Sequence, residues 1–323
     1  MKLRLSACLL LMFLGVFGFV TNGKAENFPN RPITLIMPFG AGNAPDTAAR
    51  IIAEYLQQKH GITLLVTSKA GGSGIPAMLE LAHARPDGYT ISLTSANVLT
   101  VVPQAKPCGF TYKDFAPISQ IANFTMGWGV LASSDIKSVD DLMQKAKEFP
   151  KKYSVGSPGA LTAQRFFHTQ LMKHFPESDL PYVAYNGGAE LVTALLGKHI
   201  EVAYTPVSNF TPHGDTIRII AVSKEERDPM YPDVPTFAEL YDKNLVFDSV
   251  YGIVGPKNIP ADRIARLDAL FKEALEDPSV QEKMKKVFVT YDYLPAKEFS
   301  EVLKQYNDFF AAPIQEYLKE QAK

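Results

Sequence analysis

Two small-residue loops, not a cluster of acids, bases or thiols, carry the most chemical character in this chain. The first is Phe39-Gly40-Ala41-Gly42-Asn43. It follows the β-rich run Ile33-Thr34-Leu35-Ile36-Met37 and leads into Pro45-Asp46 and the apolar positions Ala49, Ile52, Ala53 and Leu56. Those positions recur at helical spacing, so the stretch predicts a strand, a tight turn and a helix. A helix that starts at such a turn presents unpaired backbone N–H groups and the positive end of its dipole, which suits a carboxylate or a phosphate. The second loop, Ser157-Pro158-Gly159-Ala160-Leu161-Thr162, leaves a predicted strand at 153–155 and enters a predicted helix at 161–173. Two such helix ends facing across a cleft would clamp one small anion, whereas as ordinary βα turns they would bind nothing.

Other chemistries fit less well. Gly40-Ala41-Gly42 begins a dinucleotide fingerprint, but Pro45 stands where the third small residue belongs. The next strand, at 62–67, runs into Ser68-Lys69-Ala70-Gly71-Gly72 and supplies no acid to hold a ribose. His60, His83, His168, His174, His199 and His213 lack metal-ligand spacing and read as surface residues. Ser73, between glycines, lacks the surroundings of a nucleophile elbow, and Cys108 reads as an inert thiol. Asp46 reads as a cap or support for the first helix. No catalytic residue, metal site or cofactor is expected.

The elements that must position the loops alternate along the chain. Strand-like runs fall at 33–37, 62–67, 89–93, 128–131, 153–155, 182–184, 200–203, 217–222 and 250–254. Helical stretches fall at 46–59, 76–84, 139–149, 161–173, 189–196, 264–276 and 299–310. This alternation predicts an α/β protein with largely parallel strands.

At the start, Lys2 and Arg4 precede an apolar run from 9 to 20, and Gly23-Lys24-Ala25 offers a cleavage site before Glu26. Residues 1–25 therefore read as a secretory signal peptide, too short in its apolar core to anchor in a bilayer. The whole chain carries a formal charge of −1; without Lys2, Arg4 and Lys24, 30 basic side chains face 34 acidic ones, a charge of −4. No basic stripe appears, so nucleic acid is not an expected partner. Of the two cysteines only Cys108 lies beyond the leader, which excludes an internal disulfide and suits a periplasmic location.

From residue 28 to about 306 the chain resembles the periplasmic substrate-binding proteins of tripartite tricarboxylate transporters, the Bug family. The carrying segments are the stretch from Phe28-Pro29-Asn30-Arg31-Pro32 through Gly42, Asp46 with Ala49-Arg50, and Lys69-Ala70-Gly71-Gly72-Ser73-Gly74. Arg85-Pro86-Asp87-Gly88-Tyr89-Thr90, Lys113-Asp114-Phe115-Ala116-Pro117-Ile118, Tyr185-Asn186-Gly187-Gly188-Ala189 and Tyr231-Pro232-Asp233-Val234-Pro235-Thr236 follow in order. The resemblance implies a type II periplasmic-binding-protein fold: two α/β lobes joined by two crossing segments near 123–129 and 248–252, with a ligand cleft between them. Residues 26–125 with 250–323 would form a discontinuous first lobe, and 126–249 the second.

The same resemblance implies a monomer that binds a small organic carboxylate, a di- or tricarboxylate or an aromatic acid. It would deliver this ligand to one large and one small integral-membrane subunit. Phe39, Gly40, Ala41, Gly42, Asn43, Ser95 and Asn97 would line one wall. Ser157, Gly159, Ala160, Leu161, Thr162, Tyr185, Asn186, Gly187, Gly188 and Thr205 would line the other. Three positions depart from the family pattern: Asn43 replaces a glycine, Pro158 replaces a flexible polar residue, and Thr205 stands where many members place an aspartate. A secreted α/β enzyme for a carboxylated substrate and a ligand sensor built on the same fold are the competing expectations.

Overall fold

The computed structural model describes residues 28–286, 289 and 291–321, so the expected leader lies outside the described residues. The strands, in chain order, are β1 (Ile33–Met37), β2 (Leu64–Ser68), β3 (Thr90–Ser95), β4 (Phe115–Leu131) and β5 (Val155–Pro158). After them come β6 (Tyr182–Tyr185), β7 (Val202–Pro206), β8 (Ile217–Val222), β9 (Asp248–Pro256) and β10 (Tyr291–Pro295). The helices are α1 (Ala44–His60), α2 (Ile75–Ala82), α3 (Ala96–Thr100), α4 (Val102–Ala105), α5 (Val139–Glu148) and α6 (Ala163–Met172). They continue with α7 (Gly188–Leu196), α8 (Phe237–Leu240), α9 (Ala261–Glu276), α10 (Pro278–Lys286) and α11 (Ala296–Gln321).

The strands run in the order β2-β1-β3-β9-β4-β7-β5-β6, with β8 and β10 also paired to β4. The middle of this path corrects the expectation of largely parallel strands. β1 pairs in parallel with β2 and β3, and β5 with β6 and β7, but all pairings of β4 and β9 are antiparallel. The reason lies in the crossing strands, which carry the chain from one lobe to the other and back. The 17-residue β4 pairs through its first half with β9 and β10 and through its second with β7 and β8.

Each lobe is a sheet covered on both faces, as the period-2 alternation of its strands requires. Ile33, Leu35 and Met37 of β1 join one apolar cluster with α1 and α9, while Ile36 joins another with α2. In the second lobe Met126, Trp128 and Val130 of β4 pack with α5 and α6, and Leu131 packs with α7. Gly129 is required in β4, because a Cβ there would fall 2.6 Å from the Phe210 ring. α11 serves both lobes: Phe299 and Leu303 lie in a first-lobe cluster, Phe310 and Ile314 in a second-lobe one. Fully burying side chains of this size stabilises by roughly 1.5–3 kcal/mol each.

His168 departs from the sequence reading of a surface histidine. It lies on the core face of α6, 5% exposed, with its ring beside Trp128 and Tyr182 and its Nε2 3.0 Å from the Leu180 carbonyl. Burial pushes its pKa down to about 4, and Arg165 nearby adds to the effect. The imidazole is therefore neutral at pH 7, a core group and not a solvated one.

Candidate functional site: the cleft between the lobes

The first glycine loop satisfies itself. Asn43 caps α1, its Oδ1 accepting the Asp46 N–H at 2.9 Å while its Nδ2 donates to the Gly40 carbonyl at 2.8 Å. Asp46 in turn accepts the Gly42 N–H at 3.0 Å and is clasped by Arg50 through two bonds of 2.9 and 3.1 Å. The donors that the sequence suggested for an anion at Gly42 and at the start of α1 are thus committed to the protein. Asn43, read from sequence as an unusual loop residue, is the reason.

The second lobe is different. α6 begins at Ala163, later than its apolar pattern predicts, with Thr162 as its cap residue; α7 begins at Gly188, capped by Gly187. Neither cap residue makes a side-chain hydrogen bond to its helix. In α6 the Arg165 N–H turns back to the Thr162 carbonyl at 2.9 Å, and the N–H groups that precede it have no partner within the helix, as at any helix start.

A narrow cavity of about 30 Å³, close to the volume of one water molecule, lies where these ends meet the first lobe, so a ligand enters only as the lobes part. Phe39, Asn43, Ser95, Asn97, Thr162, Gly188 and Thr205, all expected from sequence, line it together. Gln164, Asn209, Ser249 and Tyr251 complete its polar surface, and Pro45, Pro158 and Pro206 add apolar wall. The lining contains no acidic, lysine, arginine or histidine side chain. Its one ionisable group, the Tyr251 phenol, is pushed up to about 12 by burial, with the Ser249 and Ser95 hydroxyls pulling the other way.

Asn209 stitches the lobes together. Its Nδ2 donates to Thr205 Oγ1 at 2.8 Å, and its Oδ1 accepts the Ala44 N–H from α1 at 3.4 Å. Thr205 is completely buried. Close by, a Cβ built on Gly187 would lie 3.6 Å from the Gly40 nitrogen, so the two walls touch. An adjoining opening joins Gly42, Gly188 and Asn209 to Ser208, His213 and Lys286.

The remaining expected residues lie off the cavity wall. Gly40, Ala41 and Gly42 form the rim of the first loop, with Ala41 and Gly42 exposed. Ser157 is buried in β5, and Ala160 is exposed two residues before the α6 cap. Leu161 packs against the second-lobe core. Gly159 holds φ +84° and uses its N–H on the Tyr185 carbonyl at 2.8 Å, while Asn186 uses its own on Glu190 at 2.9 Å. Sequence reasoning missed Gln164, Asn209, Ser249 and Tyr251. Of these only Gln164 carried a local signal, a polar residue on the buried side just inside a helix start.

Two α/β lobes flanking a cleft are the architecture of the periplasmic binding proteins. The structure matches that of the periplasmic binding protein BugD with a TM-score of 0.82 at 26% identity, covering 90% of this chain and 98% of BugD. The chain belongs to the tripartite tricarboxylate transporter family receptors, whose model matches residues 48–307. A protein encoded in the gbd 5' region of Cupriavidus necator, UPF0065, is 29% identical over 290 residues, 89% of this chain and 88% of its own length. MatC of Rhodopseudomonas palustris, solved with bound malate, shares the fold at 20% identity with a TM-score of 0.80, covering 89% of this chain and all of MatC.

Proposed function

We propose that this protein captures a small organic carboxylate between its lobes and hands it to the membrane subunits of a tripartite tricarboxylate-type transporter. The carrying observation is the cavity into which α6 and α7 turn uncapped N-termini while no charged side chain lines it. Helix ends attract a carboxylate by up to about 2 kcal/mol in partly buried geometries. A buried arginine would add its own desolvation penalty of several kcal/mol, so a neutral cleft holds the anion without that cost. Membership of a receptor family and the malate bound by MatC support the same reading.

Capture takes place in the periplasm once residues 1–25 are removed. Among the described residues no helix is long and apolar enough to cross a membrane. The ligand-contacting groups are those of the cavity, with Thr162, Gln164 and Gly188 on the anion side. The crossings of β4 and β9 support lobe boundaries near residues 125 and 250.

Denaturing the purified protein and analysing what it releases identifies the ligand. A thermal-shift screen tests the class, since ligand at about a hundred times its Kd adds roughly 2.7 kcal/mol of stability. Carboxylates should raise the midpoint. A screen in which only sugars or metal ions do so refutes the assignment.

A further inference from the structure

Two buried amides face the cavity from opposite lobes, Asn97 from α3 and Gln164 from the first turn of α6. They are only 3% and 8% exposed, yet neither Asn97 Oδ1 nor Gln164 Oε1 has a hydrogen-bond partner. A buried acceptor left unmet is costly, and most such groups in folded proteins are satisfied. An amide needs an acceptor for its NH2 and a donor for its oxygen, whichever way its head is turned. A carboxylate only accepts, so it answers half of that demand. We propose that the cleft selects a hydroxy acid: the ligand's carboxylate takes the helix and amide N–H groups, and its hydroxyl donates to an amide oxygen.

The inference rests on the carboxylate reading and narrows it. It also separates a hydroxy acid from the matching amino acid. An ammonium would donate to the amides too, but no acidic side chain lines the cavity to neutralise it, and a buried unpaired charge is strongly disfavoured. The unsubstituted acid leaves the amide oxygens to any water the closed cleft retains. The hydroxy acid brings its own donor in place.

Calorimetric titration of the leader-free protein with three matched sets reads this selectivity. The sets are propionate, lactate and alanine; succinate, malate and aspartate; and glutarate, 2-hydroxyglutarate and glutamate. In the set whose length fits the cleft, the hydroxy acid should bind at least tenfold more tightly than both analogues. Asn97→Leu or Gln164→Leu should weaken all three ligands through the lost amide N–H and, beyond that, cut the margin for the hydroxy acid below threefold. Circular dichroism and the thermal midpoint establish that each variant is folded, and one folded variant suffices. If carboxylates bind with no preference for the hydroxyl, the inference falls and the carboxylate reading stands. If the folded protein binds no carboxylate, both fall. A margin that survives in both variants overturns the assignment to these amides.

Discussion

Replacing Gly188 with alanine tests how closure depends on one contact. The residue is the first of α7, its φ lies outside the left-handed region, and alanine is conformationally acceptable there. The added Cβ, however, would fall 2.6 Å from Asn209 Nδ2 and 3.3 Å from Thr205 Oγ1. Asn209 must swing away, which breaks its 2.8 Å bond to Thr205 and its longer bond to Ala44 across the cleft. Neutral hydrogen bonds contribute about 0.5–1.5 kcal/mol each, and the 3.4 Å bond sits at the low end. Only the Ala44 bond crosses the cleft, so the closed form should lose about 0.5–1 kcal/mol relative to the open one, weakening carboxylate binding by roughly 2–5-fold. The lost Thr205 bond acts on the second lobe in both forms and is largely offset, because alanine in place of a helical glycine returns about 0.5–1 kcal/mol. Calorimetry gives the affinity, and small-angle scattering with ligand gives the fraction closed. Asn209→Ala should reproduce most of the loss, and adding Gly188→Ala to it should then cost little. Wild-type affinity in Gly188→Ala, or fully additive losses in the double variant, would refute the latch.

Three further outcomes follow from the structure. Thr205→Asp places a carboxylate at the buried end of the cleft, so calorimetry should show succinate binding at least tenfold weaker and aspartate gaining relative to it. His168 is neutral when folded, with a pKa of about 4 against about 6.5 unfolded; its stabilisation is complete above pH 6.5 and lost as pH falls toward 4. Urea titrations should show a loss on the order of 3 kcal/mol over that window, and the wild-type-minus-His168→Gln difference should carry that slope. N-terminal sequencing of exported protein should begin at Glu26; an intact Met1 on a membrane-held form would reject leader removal.

What the sequence reveals and what it hides divides along a physical line. β1 and β8 appear where alternation places them, because local periodicity suffices. Only the last four residues of β4 read as strand from sequence. Its first half carries Pro117 and Asn123, poor strand formers held in place by nine-residue pairing with β9 more than a hundred positions away. β10 and α10 were not anticipated. At the site, the glycine loops were legible but not their use of donors, since the Asp46–Gly42 and Gly159–Tyr185 bonds follow from folded geometry. Asn209 could not be read at all, because its bond to Ala44 spans 165 positions.

The placement of α11 bears on when this protein can fold. Phe299 and Leu303 complete one lobe while Phe310 and Ile314 complete the other. Any process that threads the chain N-terminus first therefore delivers the closing pieces of both cores last. While residues 296–321 remain inside a channel, each lobe lacks buried aromatic and aliphatic side chains, so neither can lock. A truncation near residue 305 should therefore weaken the second lobe, distant in sequence from the cut, by removing Phe310 and Ile314 from its core.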